Sequence, residues 1–526
     1  MALFGFDGEN AREKLVVLLT MCFALAMAML DNTVVNVALP TISDDLGAGV
    51  SELQWIVDGY VLAFASLLLT GGILGDRYGR KRTFLGGLLV FTAASLASGL
   101  AGSTGELIAF RALQGIGAAL LLPGTLSILT VTFPPHERAR AIGLWAGMSG
   151  LALALGPTLG GLMVERLGWQ SVFFLNVPIG AVALLVATRT VRESVSEVER
   201  RLDLPGLLLG TVALFSATYG LIEANRLGWS DPLIVGSLLT SGPFLAGFLG
   251  WELRNPHPMM PLGFFRIPAF SAGNAVAFSV SLGMFATFFF LSLYMQLIHG
   301  YTAFQAGLRF LPMTLAIVAT APYAGRFAQR NGSRGPMTYG LLLAGAGLLF
   351  LGTRLQPDTS SLTMLPVFVI MGHGMGSTMA PMTAAVMNAV GPQRAGLGSA
   401  MTNTSREIGG VLGIALLGTI LTTRLRDALL PALAGLELDG PQREGIAAAA
   451  GHGVLDPSML AGLSRPQILA VREAFAASFM AGFHTALLVG GTVLLLAAWV
   501  AYRFIPGRGQ GEARPAAEAE RIPVEV

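Results

Sequence analysis

The turn that decides the fold reads GILGDRYGRK over residues 72–81 and joins two long apolar runs. A related turn, AQRNGSR, occupies residues 328–334. Arg77 aligns with Arg330 at an offset of 253 residues, close to half the chain, and in both copies a glycine follows two residues later. Two related halves are typical of transporters, whose substrate site lies at the interface of the halves near mid-membrane. The alternative is that basic glycine turns simply recur on one membrane face.

Apolar runs of spanning length recur along the whole chain, since about 20 residues cross a bilayer as a helix. The runs exceed the length of a membrane strand, and transmembrane helices tolerate their 67 Gly and 27 Pro residues. The sequence therefore predicts an all-α polytopic membrane protein. The predicted spans are fourteen, at about 15–39, 52–74, 83–102, 106–131, 139–163, 171–190, 204–225, 232–251, 270–298, 303–325, 336–354, 362–389, 396–423 and 480–504.

Composition excludes the other classes of protein. Of 526 residues, 53% are hydrophobic and 12% are charged, whereas a soluble domain carries roughly 25% charged residues. This rules out a soluble multidomain enzyme, a secreted disulfide scaffold and a disordered chain. The lone Cys22 leaves no disulfide and no cysteine metal site. A net charge of +2 gives no reason to expect a nucleic acid partner.

The distribution of basic residues predicts the orientation. An even number of spans places both ends on one side, and 22 of the 33 Lys and Arg residues fall at the ends and in the loops of that side. The short loops of the other side hold three, and the long segment 424–479 holds five. Because cytoplasmic loops carry the excess of Lys and Arg, we expect cytoplasmic termini and a long extracellular loop at 424–479.

Several motifs along the chain match one known pattern. They lie at 30–40 in helix 1, 72–81 after helix 2, 107–119 in helix 4 and 156–161 in helix 5, with Ala152 where the pattern usually has Gly. Together they resemble the major facilitator superfamily, and within it the fourteen-helix drug:proton antiporter family. The segments Phe173–Gly180 and Asp203–Gly206 also fit that branch.

The resemblance implies a major facilitator fold of two six-helix bundles plus two extra helices. We expect an N-terminal bundle over 1–191, the extra helices and linkers over 192–266, and a C-terminal bundle with a cytoplasmic tail over 267–526. The implied partners are small hydrophobic or cationic compounds, protons and the lipid bilayer, with the protein as a monomer and no cofactor or metal.

Three charged residues lie inside spans at similar predicted depth. Asp31, Asp58 and Arg111 sit about five to eight residues from the outer ends of helices 1, 2 and 4, or ~8–12 Å in. A charge at the bilayer centre costs about 3 kcal/mol or more, so such residues face a cavity or a partner. They could form one titratable cluster that exchanges a proton. The alternatives are that Asp31 caps a helix break and that Arg111 only clamps helices.

The resemblance adds roles to these residues. It implies that Asp31 and Arg111 couple transport to protons, and an acid at the position of Asp58 resembles exporters of quaternary-ammonium and other cationic compounds. Glu407, at mid-depth in helix 13, is either a second proton or cation site or a structural partner of Arg406.

Two motifs are candidates for gating. The turn after helix 2 is either a positive-inside anchor or a cytoplasmic latch in which an acid pairs with an Arg; its residues are Gly72, Asp76, Arg77, Gly79, Arg80 and Lys81. The helix 5 motif, which the resemblance ties to antiporters, is either a leak-controlling hinge or plain helix packing; its residues are Gly156, Pro157, Gly160 and Gly161.

The leading functional hypothesis is export of hydrophobic or cationic compounds in exchange for protons. No Walker loop occurs, so the energy source is an ion gradient rather than ATP. A second hypothesis is a dedicated exporter of one natural product, since Arg outnumbers Lys 31 to 2, as in the GC-rich genomes of antibiotic-producing actinobacteria. The helix 5 motif argues against a nutrient importer. An intramembrane enzyme or receptor would need a metal or nucleophile motif, and none is present.

Overall fold

The computed structural model describes residues 11–195, 202–390, 395–436, 438–440, 442, 443, 446, 460 and 463–507. Within these ranges the long ordered elements are fourteen helices. They are α1 (Ala11–Leu46), α2 (Val50–Tyr78), α3 (Arg80–Gly99), α4 (Thr104–Thr132), α5 (Pro135–Leu167), α6 (Ser171–Thr190, interrupted at Leu175), α7 (Leu204–Leu227), α8 (Pro232–Glu252), α9 (Pro268–Leu293, continued by a π-helical turn Tyr294–Ile298), α10 (Ala303–Asn331), α11 (Arg334–Arg354), α12 (Ser361–Val390), α13 (Ala395–Ala434) and α14 (Arg465–Phe504).

The fourteen helices confirm the predicted fold class. Thirteen of them are long and apolar enough to cross a membrane. The remaining one, α5, has 33 residues and packs between α1 and α10. At 1.5 Å per residue it is also long enough to span a bilayer. The chain is thus an all-helical, multi-pass membrane protein.

The internal repeat is visible in the packing of the helices. In the first six helices α2 packs on α4, α3 on α4 and α1 on α5. In the last six α10 packs on α12, α11 on α12 and α9 on α13. The two sets meet at two places, where α2 packs on α13 and where α10 packs on α5. In the repeat α2 corresponds to α10 and α5 corresponds to α13, so the two contacts are equivalent. This exchange of contacts relates the halves by a pseudo-two-fold axis, and the repeat agrees with the two related halves predicted from the turns.

The two repeated turns have the same backbone geometry. Gly79 ends α2 with φ 113° and Gly332 ends α10 with φ 84°. These φ values lie in the left-handed region that favours glycine. The glycine shared by the two turns is thus required by the conformation at both sites.

The halves are held together near one end of the helices. Because the helices alternate in direction, α1 begins and α14 ends at the same membrane face, called here the terminal face. Near the opposite face, Ser292 Oγ donates to the carbonyl of Asn36 at 2.8 Å and Gln296 Nε2 to that of Val37 at 3.1 Å. Thr302 Oγ1 also donates to Glu165 Oε2 at 2.7 Å. The conformation is therefore closed at the opposite face.

Several predicted helix edges are wrong. α1 continues to Leu46, α13 continues to Ala434 and α14 begins at Arg465, so much of the loop predicted over 424–479 is helical. In α13 a leucine stripe at every fourth residue stays buried and joins the phenylalanines of α14 in one core; the stripe is Leu421, Leu425, Leu429 and Leu433. The mean hydropathy falls where these helices leave the membrane, but apolar residues continue at helical spacing. Because this spacing buries one face of each helix, the helices extend beyond the predicted spans.

The extra helices α7 and α8 lie against the seam where α2 meets α13. Ser51 Oγ of α2 donates to the carbonyl of Ile222 at 3.3 Å, and Trp55 Nε1 donates to Glu223 Oε1 at 2.9 Å. On the other side of the seam, Thr419 of α13 donates to the carbonyl of Leu221. Only a small part of α8 is buried, so most of its apolar surface lies on the outside of the helix bundle. α7 thus touches both halves of the repeat.

The terminal-face ends of α7 and α8 are joined by a buried carboxylate. Asp203 precedes α7, and its Oδ1 accepts hydrogen bonds from Gly206 N at 3.0 Å and Trp251 Nε1 at 2.7 Å. Burial acts to raise the pKa of Asp203, but hydrogen bonds from Gly206, Trp251, Glu252 and Asn255 to the charged form outweigh it, and the pKa lies below its usual value. The ionised Asp203 therefore caps α7 and fixes it to α8.

Candidate functional site

A buried ion pair joins α1 to α4. Arg111 Nη1 lies 2.5 Å from Asp31 Oδ2, and both side chains are almost completely excluded from the surface. The pair was predicted from the similar depth of the two residues, and the structure brings them into direct contact. Asp31 does not cap a helix break, since α1 runs through it without interruption.

Two neutral side chains complete the shell around the carboxylate. Gln114 Nε2 of α4 and Asn176 Nδ2 of α6 each donate to Asp31 Oδ1 at 2.8 Å. Gln114 Oε1 also accepts from Arg111 Nη1 at 2.7 Å, so the glutamine bridges both members of the pair. Sequence reasoning missed both residues as site residues. Gln114 could have been found, since a residue three places after Arg111 shares its helix face.

Arg111 has three further contacts, two with α2 and one with α6. Its Nε donates to the carbonyl of Ile56 at 3.1 Å, and its guanidinium carbon lies 4.3 Å from the centroid of the Tyr60 ring. The same carbon lies 5.8 Å from the centroid of the Phe173 ring on α6. A cation over an aromatic face is stabilised by the ring quadrupole, more so where water is excluded. The arginine therefore holds α1, α2 and α4 together and satisfies its charge without solvent.

Asp58 lies apart from this pair. Its side chain is completely buried, and both carboxylate oxygens have no hydrogen-bond partner among the described residues. One turn earlier on the same helix, Gln54 Nε2 donates to the carbonyl of Ile414 on α13, so this stripe of α2 faces the other half. The structure therefore joins only two members of the predicted three-residue cluster, Asp31 and Arg111.

Glu407 is a second buried acid, on α13. The side chain is 6% exposed, and its Oε2 has no hydrogen-bond partner among the described residues. No ion pair with Arg406 is found in the part of the chain that the structure describes, as expected for adjacent helical residues, which point in different directions. Tyr60 is close enough to interact electrostatically with Asp31, Arg111 and Glu407, and Arg406 acts electrostatically on Glu407 without an ion pair among the described residues.

The basic turn after α2 is fixed within its own half. Asp76 Oδ1 accepts from Arg80 Nη2 at 3.0 Å. The backbone N–H groups of Lys81 and Arg82 donate to the Glu193 carboxylate at 3.0 and 3.2 Å. Asp76 is thus paired with an arginine of its own turn, four residues later in the sequence. The turn anchors α2 and α3 to the chain that follows α6.

The remaining residues of that motif have structural contacts. Gly72 lies within α2 and faces Pro123 of α4. The Arg77 guanidinium lies 5.3 Å from the ring centroid of its neighbour Tyr78. Lys81 Nζ donates to the carbonyl of Thr188 at 2.8 Å.

The helix 5 motif is a contact surface on two sides. Gly156 and Gly160 lie against α1, and Gly161 lies against the carbonyl of Ala303 on α10. The carbonyl of Pro157 lies against Gly307 of α10 in the same way. A side chain in place of Gly161 would overlap the α10 backbone, so these glycines permit the close approach of α1, α5 and α10 near the opposite face.

Comparison with known proteins agrees with this architecture. The family model described as Major Facilitator Superfamily matches residues 21–414. The chain is 36% identical to the tetracenomycin C resistance and export protein of Streptomyces glaucescens, over 92% of this chain and 90% of that protein. It is 34% identical to the multidrug resistance protein Stp of Mycobacterium tuberculosis, over 94% and 93%.

Among solved structures, the fold is similar to a bacterial homolog of the human lysosomal transporter Spinster in an inward-facing, unoccupied conformation. The TM-score is 0.60 at 18% identity, over 95% of this chain and 99% of that one. This likeness concerns the fold alone.

The buried pair predicts a specific pattern of stability. Arg111→Gln leaves the Asp31 carboxylate without a counter-charge, which costs about 3–5 kcal/mol when a buried pair is broken. Asp31→Asn combined with Arg111→Gln removes both charges, so we expect a loss smaller than the sum of the two single losses. Unfolding of the four proteins in detergent, followed by intrinsic fluorescence, measures this.

Arg472→Gln is the matched control, because Arg472 is exposed on α14 and its loss should leave stability unchanged. Strictly additive losses for the pair would show that the two charges do not interact.

Proposed function

The chain belongs to the major facilitator superfamily, and on that premise we propose that it exports hydrophobic and cationic drugs or antibiotics across the cytoplasmic membrane in exchange for protons. The relatives named for resistance and export support the direction of transport. The observation that carries the proton coupling is the buried Asp31–Arg111 pair. In the proposed topology the terminal face is cytoplasmic, because the excess of Lys and Arg lies on that side of the membrane.

The proton acts on Asp31. In the paired state the carboxylate is ionised and accepts hydrogen bonds from α4 and α6. Protonation removes the negative charge, so the guanidinium of Arg111 loses its counter-ion and the attraction between α1 and α4 falls. A buried charge that loses its partner is strongly destabilised, which drives a rearrangement of these helices.

The rearrangement reaches the closed end of the protein through α1. Asn36 and Val37, whose carbonyls accept hydrogen bonds from α9, lie five and six residues after Asp31 on the same helix. At 1.5 Å per residue this is about 8–9 Å, so a shift of α1 acts directly on the contacts at the opposite face. Protonation of Asp31 thus changes the stability of the closed state.

The cationic substrate is assigned to the side of α2 and α13. Asp58 and Glu407 are buried carboxyl groups with unpartnered oxygens among the described residues. An isolated ionised carboxylate in a low-dielectric interior is costly, so it takes up either a proton or a cation. We assign both groups to that exchange, in which a cationic compound from the cytoplasmic side replaces the proton.

A dedicated exporter of one natural product is the second candidate. It is favoured by the relative named for resistance to and export of tetracenomycin C, whereas the relative named as a multidrug resistance protein favours a broad substrate range. A susceptibility panel in a pump-deficient host, with and without an uncoupler, separates the two. Resistance to one compound supports the dedicated exporter, and resistance to several unrelated compounds supports the broad one.

Asp31→Asn tests the coupling. An asparagine keeps the size of the side chain but cannot exchange a proton, so accumulation of ethidium in everted vesicles driven by an acidic lumen should fall to the level of vesicles without the protein. Asp427→Asn, an exposed acid on α13, should accumulate ethidium like the parent. Full accumulation by Asp31→Asn, at equal amounts in the membrane, would refute the assignment.

Asp58→Asn tests the cation site. Removing the carboxylate deletes a charge contact with a cation but not with a neutral compound. The KM for ethidium should rise about tenfold, the equivalent of roughly 1.4 kcal/mol, while that for neutral chloramphenicol changes little. Initial rates in the same vesicles give both values, and equal changes for the two compounds would remove Asp58 from substrate binding.

A further inference from the structure

The helix that supplies Asn176 is broken next to it. α6 consists of a short segment, Ser171–Phe174, and a longer one, Asn176–Thr190, separated by Leu175. Asn176 is therefore the first residue of the longer segment. Its side chain is 1% exposed, and its Nδ2 lies 2.8 Å from Asp31 Oδ1.

A hydrogen-bonded chain fixes which end of this carboxamide faces the acid. Ser95 Oγ of α3 donates to the carbonyl of Phe173 at 2.9 Å, which uses its only proton. Its oxygen then accepts from Asn176 Nδ2 at 3.0 Å. The NH₂ group of Asn176 thus serves two acceptors, Ser95 and Asp31, and its orientation follows from the partners.

One of the donors to Asp31 is charged. Among the described residues, Arg111 of α4 forms the ion pair with the carboxylate, and Tyr60 of α2 is close enough to interact electrostatically with Asp31 and with Glu407 of α13. α3 and α6 contribute the neutral Ser95 and Asn176, and α5 faces α1 with glycines. Asn176 of α6 is thus a donor to the Asp31 carboxylate from a helix other than α4 and α2.

We propose that Asn176 is the positioning residue that sets the proton concentration at which Asp31 exchanges its proton, with Ser95 holding its carboxamide in the donating orientation. The proposal rests on the proton-coupled function described above. A hydrogen bond to the charged form of a carboxyl group favours that form. Because Asn176 belongs to α6, its hydrogen bond to the carboxylate does not depend on the position of Arg111 and α4.

The direct test is an infrared titration of the purified full-length protein. The band of the protonated Asp31 carboxyl is identified as the one missing in Asp31→Asn. In Asn176→Ala the charged form loses one donor, so the band should persist to higher pH, with its midpoint raised by about one pH unit, the expected effect of one hydrogen bond to a charged group. The pH at which ethidium transport is half-maximal should move in the same direction.

Two further variants make the test specific. Ser95→Ala keeps Asn176 but frees its carboxamide, so we expect a smaller shift in the same direction, and this variant decides the matter if Asn176→Ala does not fold. Asn274→Ala is the matched control, since Asn274 is a buried asparagine of α9 whose Nδ2 donates to the carbonyl of Phe270. It should leave the Asp31 midpoint unchanged.

The outcomes separate this proposal from the function on which it rests. An unchanged midpoint in folded Asn176→Ala and Ser95→Ala, or an equal shift in Asn274→Ala, overturns the role of Asn176. Coupled transport by Asp31→Asn overturns the coupling function instead. Because the infrared titration follows Asp31 without transport, the two failures are distinguishable.

Discussion

The rest of the structure depends on one buried ion pair, between Asp31 of α1 and Arg111 of α4. Neither charge reaches solvent, so each must be satisfied by protein groups, and the structure provides them from several helices. Breaking such a pair costs far more than an exposed one, because the remaining charge stays buried. In the proposed mechanism, protonation of Asp31 removes one charge of this pair and so supplies the energy for the rearrangement.

The position of the pair on α1 places it close to the contacts that join the two halves. The same helix carries, a few residues further on, the carbonyls that hold the second half closed at the opposite face. It also packs against the glycine surface of α5, whose other side touches α10. In the proposed mechanism, a change at Asp31 reaches the second half through α1 and through the contact of α5 with α10. The pseudo-two-fold packing places α2 and α13 at the equivalent seam, where the acids Asp58 and Glu407 lie.

Much of this was predictable from the sequence, and the exceptions have physical reasons. The fourteen spans follow from the length and spacing of the apolar runs, and the Asp31–Arg111 contact follows from similar depth together with the cost of an isolated charge. Depth does not give the direction of a side chain, however, which is why Asp58 was grouped with Arg111 although its stripe of α2 faces α13. Asn176 was missed because its role depends on the break at Leu175 and on the packing of α6 against α1. The loop predicted over 424–479 is too long because hydropathy shows where a helix lies in the membrane, not where the helix ends.

The central claim is that substrate and protons move in opposite directions through one mechanism. The most direct measurement uses liposomes that contain the purified protein, with a pH-sensitive dye trapped inside and no initial pH difference. An imposed ethidium gradient should drive protons against the direction of ethidium flow, and the internal pH should change until an uncoupler abolishes it. Ethidium flux through the protein with no change of internal pH would contradict the account.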